Sequence, residues 1–197
     1  MKKYGVLALQ GAFVEHVQML RSLDVEAVEV RLPEQLDNLD GLIIPGGEST
    51  TIGKLAVAYG LVEPIRCMAS NRMPVWGTCA GMILLAKTVG RGQPLINVMD
   101  VVVERNAFGR QVDSFETDLV IPALDAVSMS EERGRPFCAI FIRAPVIKSL
   151  GSGVEEVARL NSGPIVAARQ GRMLATAFHP ELSGDTRFHR YFLSLGH

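Results

Sequence analysis

The chain has 197 residues, 48% of them hydrophobic, which predicts one domain over residues 1–197 with a substantial core. The formal net charge is −1 and no cluster of lysine or arginine stands out, so we expect neither nucleic acid nor anionic membrane as a partner. There is no signal-peptide pattern and no run of about 18 apolar residues, which predicts a cytoplasmic protein.

The first part of the chain alternates between strand-like and helical patterns. Apolar runs predict strands at residues 4–9, 27–30, 41–44 and 75–76, and apolar stripes at helical spacing predict helices at 14–23, 52–59, 61–70 and 81–87. Strand, helix and strand in succession favour a parallel α/β sheet with right-handed crossovers. Ligands bind such sheets at the carboxyl ends of the strands, so the turns after Leu9, Ile44 and Gly77 should converge.

From residue 96 onward the pattern changes to short strands, typical of antiparallel or mixed strands added to one end of the sheet. These strands are predicted at residues 101–103, 111–116, 119–121, 139–142, 154–160, 165–168 and 173–178. Residues 125–136 are polar and are predicted to form a surface loop without chemistry, and residues 186–195 to form an amphipathic helix.

Cys79 lies in a turn of small residues between a predicted strand and a predicted helix, with Gly77 and Gly81 on either side. This is the pattern of a nucleophile elbow, in which the backbone turns sharply and the central side chain is exposed. A buried structural cysteine is the alternative. Cys67 and Cys138 are interpreted as core residues, and the wide spacing of three cysteines argues against a disulfide framework or a zinc site.

The turn after Ile44 contains Gly46 and Gly47, followed by Ser49 and two threonines. It fits a capped helix N-terminus, since serine and threonine are preferred caps. A phosphate-binding loop would need a lysine that is absent here. An oxyanion hole is the third interpretation, with a backbone N–H aimed at developing negative charge. The loop alone does not decide between them.

His179 and Glu181 flank a proline near the end of the chain. In an extended segment, residues two apart face the same way, so the two side chains should project together. A carboxylate in this position orients a histidine and stabilises its charged form. A surface pair at a strand end is the alternative. His16, His189 and His197 are predicted to be surface residues.

Taken together, these motifs resemble the class I (triad) glutamine amidotransferases. Their signatures Gly-x-Cys-x-Gly-x-x-x-Leu and His-Pro-Glu match residues 77–85 and 179–181. Further stretches resemble the glutaminase subunit family of pyridoxal 5′-phosphate synthase, at residues 5–12, 45–51, 103–116 and 141–145. The resemblance covers nearly the whole chain, although residues 125–136 look longer than the family's connection. It implies a three-layer, mostly parallel, flavodoxin-like sheet with helices on both faces and added antiparallel strands.

The resemblance implies hydrolysis of L-glutamine and transfer of the ammonia to a synthase subunit, without a metal or cofactor. By similarity, Cys79 is the nucleophile, His179 the general base and acid, and Glu181 its orienting partner. The oxyanion donors would be the N–H groups of Gly47 and Ala80. Further matches to glutamine-contacting positions of the family are Gly47, Glu48, Ser49, Arg105, Ile142 and Arg143.

Gln10 ends the first strand beside this site and has two interpretations, a sensor of the partner subunit or a polar strand terminator. We expect low glutaminase activity in the isolated chain and an increase when the synthase subunit binds. The alternatives to this assignment are a glutaminase subunit for histidine or purine synthesis, a catalytically silent partner-binding module, and a flavodoxin-like cysteine hydrolase or chaperone.

Overall fold

The structure is a computed structural model that describes residues 2–90, 92–105, 107, 114–161 and 163–196. Within these ranges the α-helices are α1 (Phe13–Arg21), α2 (Ser49–Ala58), α3 (Val62–Ser70), α4 (Ala80–Leu85) and α5 (Arg187–Ser194). The strands are β1 (Lys3–Leu7), β2 (Glu26–Val30), β3 (Gly41–Ile44), β4 (Val75–Thr78), β5 (Ala86–Thr88), β6 (Met99–Glu104), β7 (Ser114–Leu119), β8 (Phe137–Ile142), β9 (Val146–Leu150), β10 (Glu155–Arg159), β11 (Ile165–Gln170) and β12 (Met173–Thr176). Short 3₁₀ helices lie at Pro33–Leu36, Pro122–Val127, Ser130–Glu132 and Pro180–Leu182.

Most of these strands form one large sheet, in the order β2-β1-β3-β4-β12-β11-β9-β6-β5, with β10 paired to β11. The strands from β2 to β12 in this order are parallel to their neighbours, as is the pair β5 and β6. β9, β10 and β11 join through antiparallel pairs, and β7 and β8 form a separate antiparallel pair. The prediction of a mostly parallel sheet with antiparallel additions is confirmed.

The central strands are covered on both faces. Every residue of β3 and β4 is buried, as expected of parallel strands between two helical layers. α1 packs on β1 and β2, while α2 packs on α4. Within the described ranges, no helix combines the length and the apolar character needed to cross a membrane.

Trp76 of β4 lies at the centre of the core beneath α5. Its ring centroid is 5.6 Å from that of Phe192 and 6.2 Å from that of Phe188. Its Nε1–H donates to Oγ1 of Thr176 on the neighbouring strand at 3.2 Å, so the buried indole has a partner for its polar atom. Truncating such a side chain to alanine typically costs about 3–5 kcal/mol.

The loops that follow β1, β3 and β4 meet at one edge of the sheet, as predicted. The backbone N–H of Glu48 donates to Oε1 of Gln10 at 2.7 Å, which joins the first loop to the second. A Cβ atom on Gly81 would lie 1.9 Å from the carbonyl oxygen of Ile44, so only glycine lets α4 start so close to β3.

All five helices form with bounds that differ from the prediction by up to three residues, and for α2 and α4 the structure shows a local reason. α2 begins at Ser49, three residues before the prediction, because the Glu48 side chain caps its N-terminus. The predicted helix at 81–87 ends at Leu85, and the following residues pair with β6 as β5. The three-residue strand β5 is too short to show a pattern of its own in the sequence.

The strand predictions also required corrections. β9 was not predicted, and the separate strand predicted at residues 119–121 is absent. Instead β7 ends at Leu119, and a 3₁₀ helix begins at Pro122, whose fixed φ favours that turn. Of the strand predicted at 111–116, residues 114–116 belong to β7 and residues 111–113 lie outside the described ranges.

The segment at residues 125–136 lies mostly at the surface, as predicted, and two arginines of α5 anchor it. Arg187 of α5 donates to the carbonyl oxygen of Pro136 at 2.9 Å. Arg190 donates to both carboxylate oxygens of Glu132, at 2.7 and 2.6 Å. These guanidinium groups tie the segment to α5, because they satisfy carbonyl and carboxylate oxygens that a free loop would leave to water.

The two cysteines predicted to lie in the core do not. Cys67 is exposed, because α3 buries the face that carries Ile65 and Met68. Cys138 is half-buried, because it occupies an outward position of β8, between the buried residues Phe137 and Ala139.

The prediction that His16 and His189 are surface residues is wrong, since both are fully buried. Helical spacing contained the signal in each case. His16 shares a face of α1 with Val17 and Leu20, and His189 lies one turn before Phe192 on the buried face of α5. His197 lies outside the described residues.

Candidate active site

Cys79 occupies the turn between β4 and α4, with φ 47° and ψ −102°. This conformation is sparsely populated for a residue with a side chain and costs about 1–3 kcal/mol. The Cys79 N–H donates to the carbonyl oxygen of Thr176 at 2.7 Å, which holds the turn against β12. Its Sγ lies 3.9 Å from the carbonyl oxygen of Ile142. The turn has the strained geometry of a nucleophile elbow. The Cys79 side chain is buried rather than exposed as predicted, because the loop of Gly46 and the end of β8 pack against it.

His179 and Glu181 follow β12, the strand that pairs with β4. Nδ1 of His179 donates to Oε1 of Glu181 at 2.7 Å, and both side chains are buried. The two side chains meet as expected, but the predicted cause was wrong. Residues Pro180–Leu182 form a 3₁₀ helix rather than an extended segment, and this turn brings the carboxylate back to the ring.

The charge of His179 depends on its two neighbours. Burial alone lowers the pKa of His179, but hydrogen bonds with Cys79 and Glu181 outweigh it and raise the pKa to about 10. Because Nδ1 donates to Glu181, Nε2 is the ring nitrogen that remains for Cys79. At neutral pH His179 therefore holds a proton next to the sulfur.

The glycine loop after β3 packs directly against this pair. A Cβ atom on Gly46 would lie 2.3 Å from Cε1 of His179 and 3.3 Å from Cβ of Cys79, so no larger residue fits there. The two predicted oxyanion donors are Gly47, the next residue of the loop, and Ala80, the first residue of α4. The N–H groups of a first helical turn have no partner within the helix.

The backbone of this loop is fixed from the loop after β1. Ala12 N–H donates to the carbonyl oxygen of Gly46 at 3.0 Å. Oε1 of Gln10 accepts from Glu48 N–H and would lie 2.5 Å from a Cβ atom on Gly47. Gln10 thus touches the part of the loop that carries one predicted oxyanion donor.

Glu48 caps α2 and is fully occupied by hydrogen bonds. Its Oε1 accepts from Thr50 N–H at 3.1 Å and from Nη2 of Arg105 at 3.2 Å. Its Oε2 accepts from the N–H and the hydroxyl of Thr51 at 2.7 and 2.8 Å. Desolvation raises the pKa of Glu48, but hydrogen bonds from Thr51 and Thr50 outweigh it and lower the pKa to about 2. A carboxylate has about four acceptor positions, and all of them are used.

Arg105 is held in place by three side chains, one of which the sequence did not single out. Besides Glu48, it donates from Nη1 to Oε1 of Gln93 at 2.6 Å and to Oγ1 of Thr50 at 3.2 Å. Ser49 Oγ donates to the same Gln93 oxygen at 3.4 Å. No motif marked Gln93, because an isolated glutamine in an irregular segment carries no periodic signal.

Two further predicted glutamine contacts lie at the end of β8. Ile142 is its last residue, and its carbonyl group faces Cys79. Arg143 follows with φ 43° and an exposed side chain. Asn106 and residues 108–113, part of the matching stretch at 103–116, lie outside the described ranges. Among the described residues, no group of three or more His, Cys, Asp or Glu side chains is arranged to hold a metal ion.

Comparison with known proteins identifies the family. Residues 6–195 match the model of the SNO glutamine amidotransferase family. The chain belongs to this family.

Curated relatives of this SNO-family chain span almost its full length. "Pyridoxal 5′-phosphate synthase subunit PdxT" of Herpetosiphon aurantiacus is 60% identical over 195 residues, covering 97% of this chain and 98% of the relative. The protein of the same name from Dehalococcoides mccartyi is 56% identical over 196 residues, covering 98% and 96%. The crystal structure of a glutamine amidotransferase is 52% identical in sequence, with a TM-score of 0.89 and 98% of each chain covered.

Proposed function

We propose that this chain is the glutaminase subunit of a pyridoxal 5′-phosphate synthase, which hydrolyses L-glutamine and passes the ammonia to a synthase subunit. The reaction class rests on one observation, the row of Cys79, His179 and Glu181 at the carboxyl ends of β4 and β12. The pathway is supported by relatives with that name that are 60% and 56% identical over nearly their whole length.

In the first half of the proposed reaction, the Cys79 thiolate attacks the carbon of the glutamine side-chain amide. A C–S bond forms, and the carbonyl oxygen becomes an oxyanion that accepts from the N–H groups of Gly47 and Ala80. One such donor is typically worth roughly 3–4 kcal/mol of barrier. His179 already holds the proton that the leaving nitrogen will need.

In the second half, the C–N bond breaks as His179 gives its Nε2 proton to the departing nitrogen. Ammonia leaves, and a thioester remains on Cys79. A water molecule then attacks the thioester while His179 takes its proton, the C–S bond breaks, and glutamate is released. Glu181 keeps the Nδ1 proton throughout, so Nε2 stays aimed at the reacting atoms.

The amino-acid head group of glutamine would bind near Arg105. A guanidinium has five N–H donors, so Arg105 keeps free ones after its bonds to Glu48, Gln93 and Thr50 and can hold the substrate carboxylate. The acceptor positions of Glu48 are filled, so a glutamine ammonium reaches it only by displacing a donor. We therefore assign Glu48 first to positioning Arg105. Ser49, Ile142 and Arg143 complete the proposed substrate contacts.

The test is formation of pyridoxal 5′-phosphate from glutamine, ribose 5-phosphate and glyceraldehyde 3-phosphate in the presence of a synthase subunit. Wild-type protein should support the reaction, and Cys79→Ala should not. Ammonium chloride should restore product with Cys79→Ala, because the synthase subunit then no longer depends on glutamine. Product from glutamine with Cys79→Ala would overturn the assigned nucleophile.

Cys67→Ala is the matched control, since Cys67 is exposed and lies on α3 rather than on the elbow between β4 and α4. It should leave product formation unchanged, and a glutamine-like electrophile should label Cys79 but not Cys67. Release of ammonia without formation of pyridoxal 5′-phosphate would support the glutaminase activity and assign it to another pathway. No ammonia and no product from the wild-type complex would favour a silent partner-binding module.

A further inference from the structure

Two fully buried histidines lie behind Glu181, and the proposed reaction uses neither. His16 of α1 and His189 of α5 are 173 residues apart in the chain, yet Nδ1 of His16 is 3.0 Å from Nε2 of His189. The other nitrogen of His16, Nε2, lies 3.2 Å from Oγ1 of Thr78 and 3.3 Å from Oε2 of Glu181. A single ring thus contacts the residue before Cys79 and the carboxylate that orients His179.

We propose that His16 is a positioning residue of this site, whose Nε2–H is shared between Thr78 and Glu181 while His189 fixes the required tautomer. This inference rests on the proposed glutaminase function, because Glu181 matters to the reaction only through His179. His16 touches neither the substrate nor the reacting atoms. Its role is to hold the two ends of the Cys79, His179 and Glu181 row at a fixed separation.

Acceptor chemistry assigns the protons. A carboxylate oxygen only accepts, so a ring nitrogen 3.3 Å from Oε2 of Glu181 must carry the proton; a lone pair there would be repelled. A neutral imidazole has one N–H, so Nδ1 of His16 accepts from Nε2–H of His189. Nδ1 of His189 is then an unprotonated nitrogen, and it has no hydrogen-bond partner among the described residues.

The surroundings keep both rings neutral. Burial lowers the pKa of His16 well below its usual value, and the neighbouring His189 and His179 lower it further. Burial alone lowers the pKa of His189 to about 3. Both rings are therefore neutral and bring no second positive charge next to His179. His16 donates one hydrogen bond and accepts one, whereas among the described residues His189 only donates one, to His16.

The shared N–H matters because Glu181 has little other support on this side. Nε2 of His16 forms a hydrogen bond with Oγ1 of Thr78. Oε2 of Glu181, by contrast, has no hydrogen bond among the described residues. A buried carboxylate oxygen without a donor is costly. The Nε2–H of His16 lies within reach of that oxygen and reduces this cost through its positive end.

A packing role is the competing explanation. The His16 and His189 rings lie edge-on to Trp76, with centroids 5.5 and 5.0 Å away, as aromatic residues in a core do. A phenylalanine in place of His16 would keep this packing and lose both nitrogens. Kinetics of the phenylalanine variant therefore separate packing from positioning.

Two substitutions of His16 place a donor at different points, and a third, phenylalanine, removes it. Glutamine puts its amide nitrogen near the position of the ring Nε2, where it can donate to Thr78 and Glu181. Asparagine puts its amide nitrogen near the position of Nδ1, within reach of His189 only. We expect His16→Asn and His16→Phe to lower kcat for ammonia release about ten- to hundredfold, the loss typical when the hydrogen-bond partner of a metal ligand is removed. His16→Gln should retain most of the wild-type kcat.

The assay uses the full chain in complex with the synthase subunit, with glutamine as substrate. KM should change little in all three variants, since the glutamine-binding groups are not touched. A kcat for His16→Phe equal to that of wild type or of His16→Gln would overturn the proposal and leave packing as the explanation. If the wild-type complex releases no ammonia from glutamine, the proposed function fails, and the tautomer measurement below still tests the proton assignment.

The second measurement needs no variant. In ¹⁵N-histidine-labelled protein, the nitrogen shifts of His16 and His189 should show protonated Nε2 and unprotonated Nδ1, unchanged through neutral pH. A proton on Nδ1 of His16 would contradict the shared Nε2–H and overturn the proposal. The expected tautomers in the wild type, together with lost activity in His16→Asn, would support it.

Discussion

His179 keeps its charge in a place that disfavours charge. Burial lowers the pKa of His179, and only its hydrogen bonds with Cys79 and Glu181 reverse that effect. The folded pKa of about 10 lies above the value of 6.5 expected for the unfolded chain. The protonated ring therefore contributes to stability fully below pH 6.5, and the contribution is lost as the pH rises through about 10.

Removing the sulfur should make this pH dependence weaker. Cys79→Ala removes one of the two hydrogen bonds that offset burial, so we expect the pKa of His179 to fall from about 10. Urea unfolding should show the wild-type free energy of unfolding decreasing between pH 6.5 and 10, by up to about 1.4 kcal/mol per unit, and a flatter curve for Cys79→Ala. His179→Gln, which cannot titrate, gives the reference curve. Parallel curves for wild type and Cys79→Ala would contradict a contribution of Cys79 to the raised pKa of His179.

At the scale of single elements, the start of α2 combines two tasks in one side chain. Glu48 caps the helix through Thr50 and Thr51 and also holds Arg105. The sequence suggested serine or threonine as the cap, because those residues lead the statistics. The carboxylate takes the cap instead, since it reaches two backbone N–H groups and a guanidinium at once.

Substitutions of Glu48 should separate these tasks. Glu48→Ala removes the cap, at a cost of about 0.5–2 kcal/mol, and leaves Arg105 without its carboxylate, so the KM for glutamine should rise. Glu48→Asp keeps a good capping group but is one methylene shorter toward Arg105. We expect near wild-type stability in urea with a raised KM. A wild-type KM for both variants would show that Glu48 does not position Arg105 for glutamine binding.

α5 is fastened by a buried guanidinium. Arg187 donates to both oxygens of Asp185 and to the Pro136 carbonyl, a fork that one ammonium group cannot reproduce. Arg187→Lys should lower the free energy of unfolding by about 2–4 kcal/mol. Arg159→Lys is the control, because its pair with Glu156 is exposed and should change stability by less than about 0.5 kcal/mol. Equal effects of the two substitutions would argue against a special role of the buried fork.

Over the whole molecule, the candidate site lies where two kinds of sheet meet. β4 and β12 are parallel and bring Cys79 and His179 to the same edge, whereas β11 next to β12 begins the antiparallel part. The site draws on parallel and antiparallel strands, because Ile142 comes from β8 of the separate antiparallel pair and its carbonyl oxygen faces the Cys79 sulfur. Every proposed group therefore depends on the fold as a unit.

The partner should control activity through the loop after β1. Gln10 holds Glu48 N–H next to Gly47, so a partner that moves Gln10 re-aims the loop with the proposed oxyanion donor. We expect the isolated chain to release little ammonia from glutamine and the synthase subunit to increase the rate, with a smaller increase in Gln10→Ala. Gln35→Ala is the control, because the side chain of Gln35 accepts hydrogen bonds from the nearby backbone N–H groups of Arg31 and Leu32. Equal rates with and without the partner would reject this control mechanism.

The sequence predicted those parts of the site that belong to short, local motifs. Cys79 between two glycines and His179 before Pro180 each form a short motif, and the parallel order of strands brings the motifs together. The bond between His16 and His189 spans 173 residues, so it depends on how α1 and α5 pack and not on any local pattern. Gln93 was missed for the same reason, since its partner Arg105 is fixed by the fold.

Trp76 is the only tryptophan of the chain, and it lies edge-on to both buried histidines. Its emission is therefore an intrinsic optical signal from the rear of the candidate site. A charged imidazole ring quenches indole fluorescence far more strongly than a neutral one. Intensity and lifetime thus report the ionisation of the two rings without any label, in the isolated chain and in its complex.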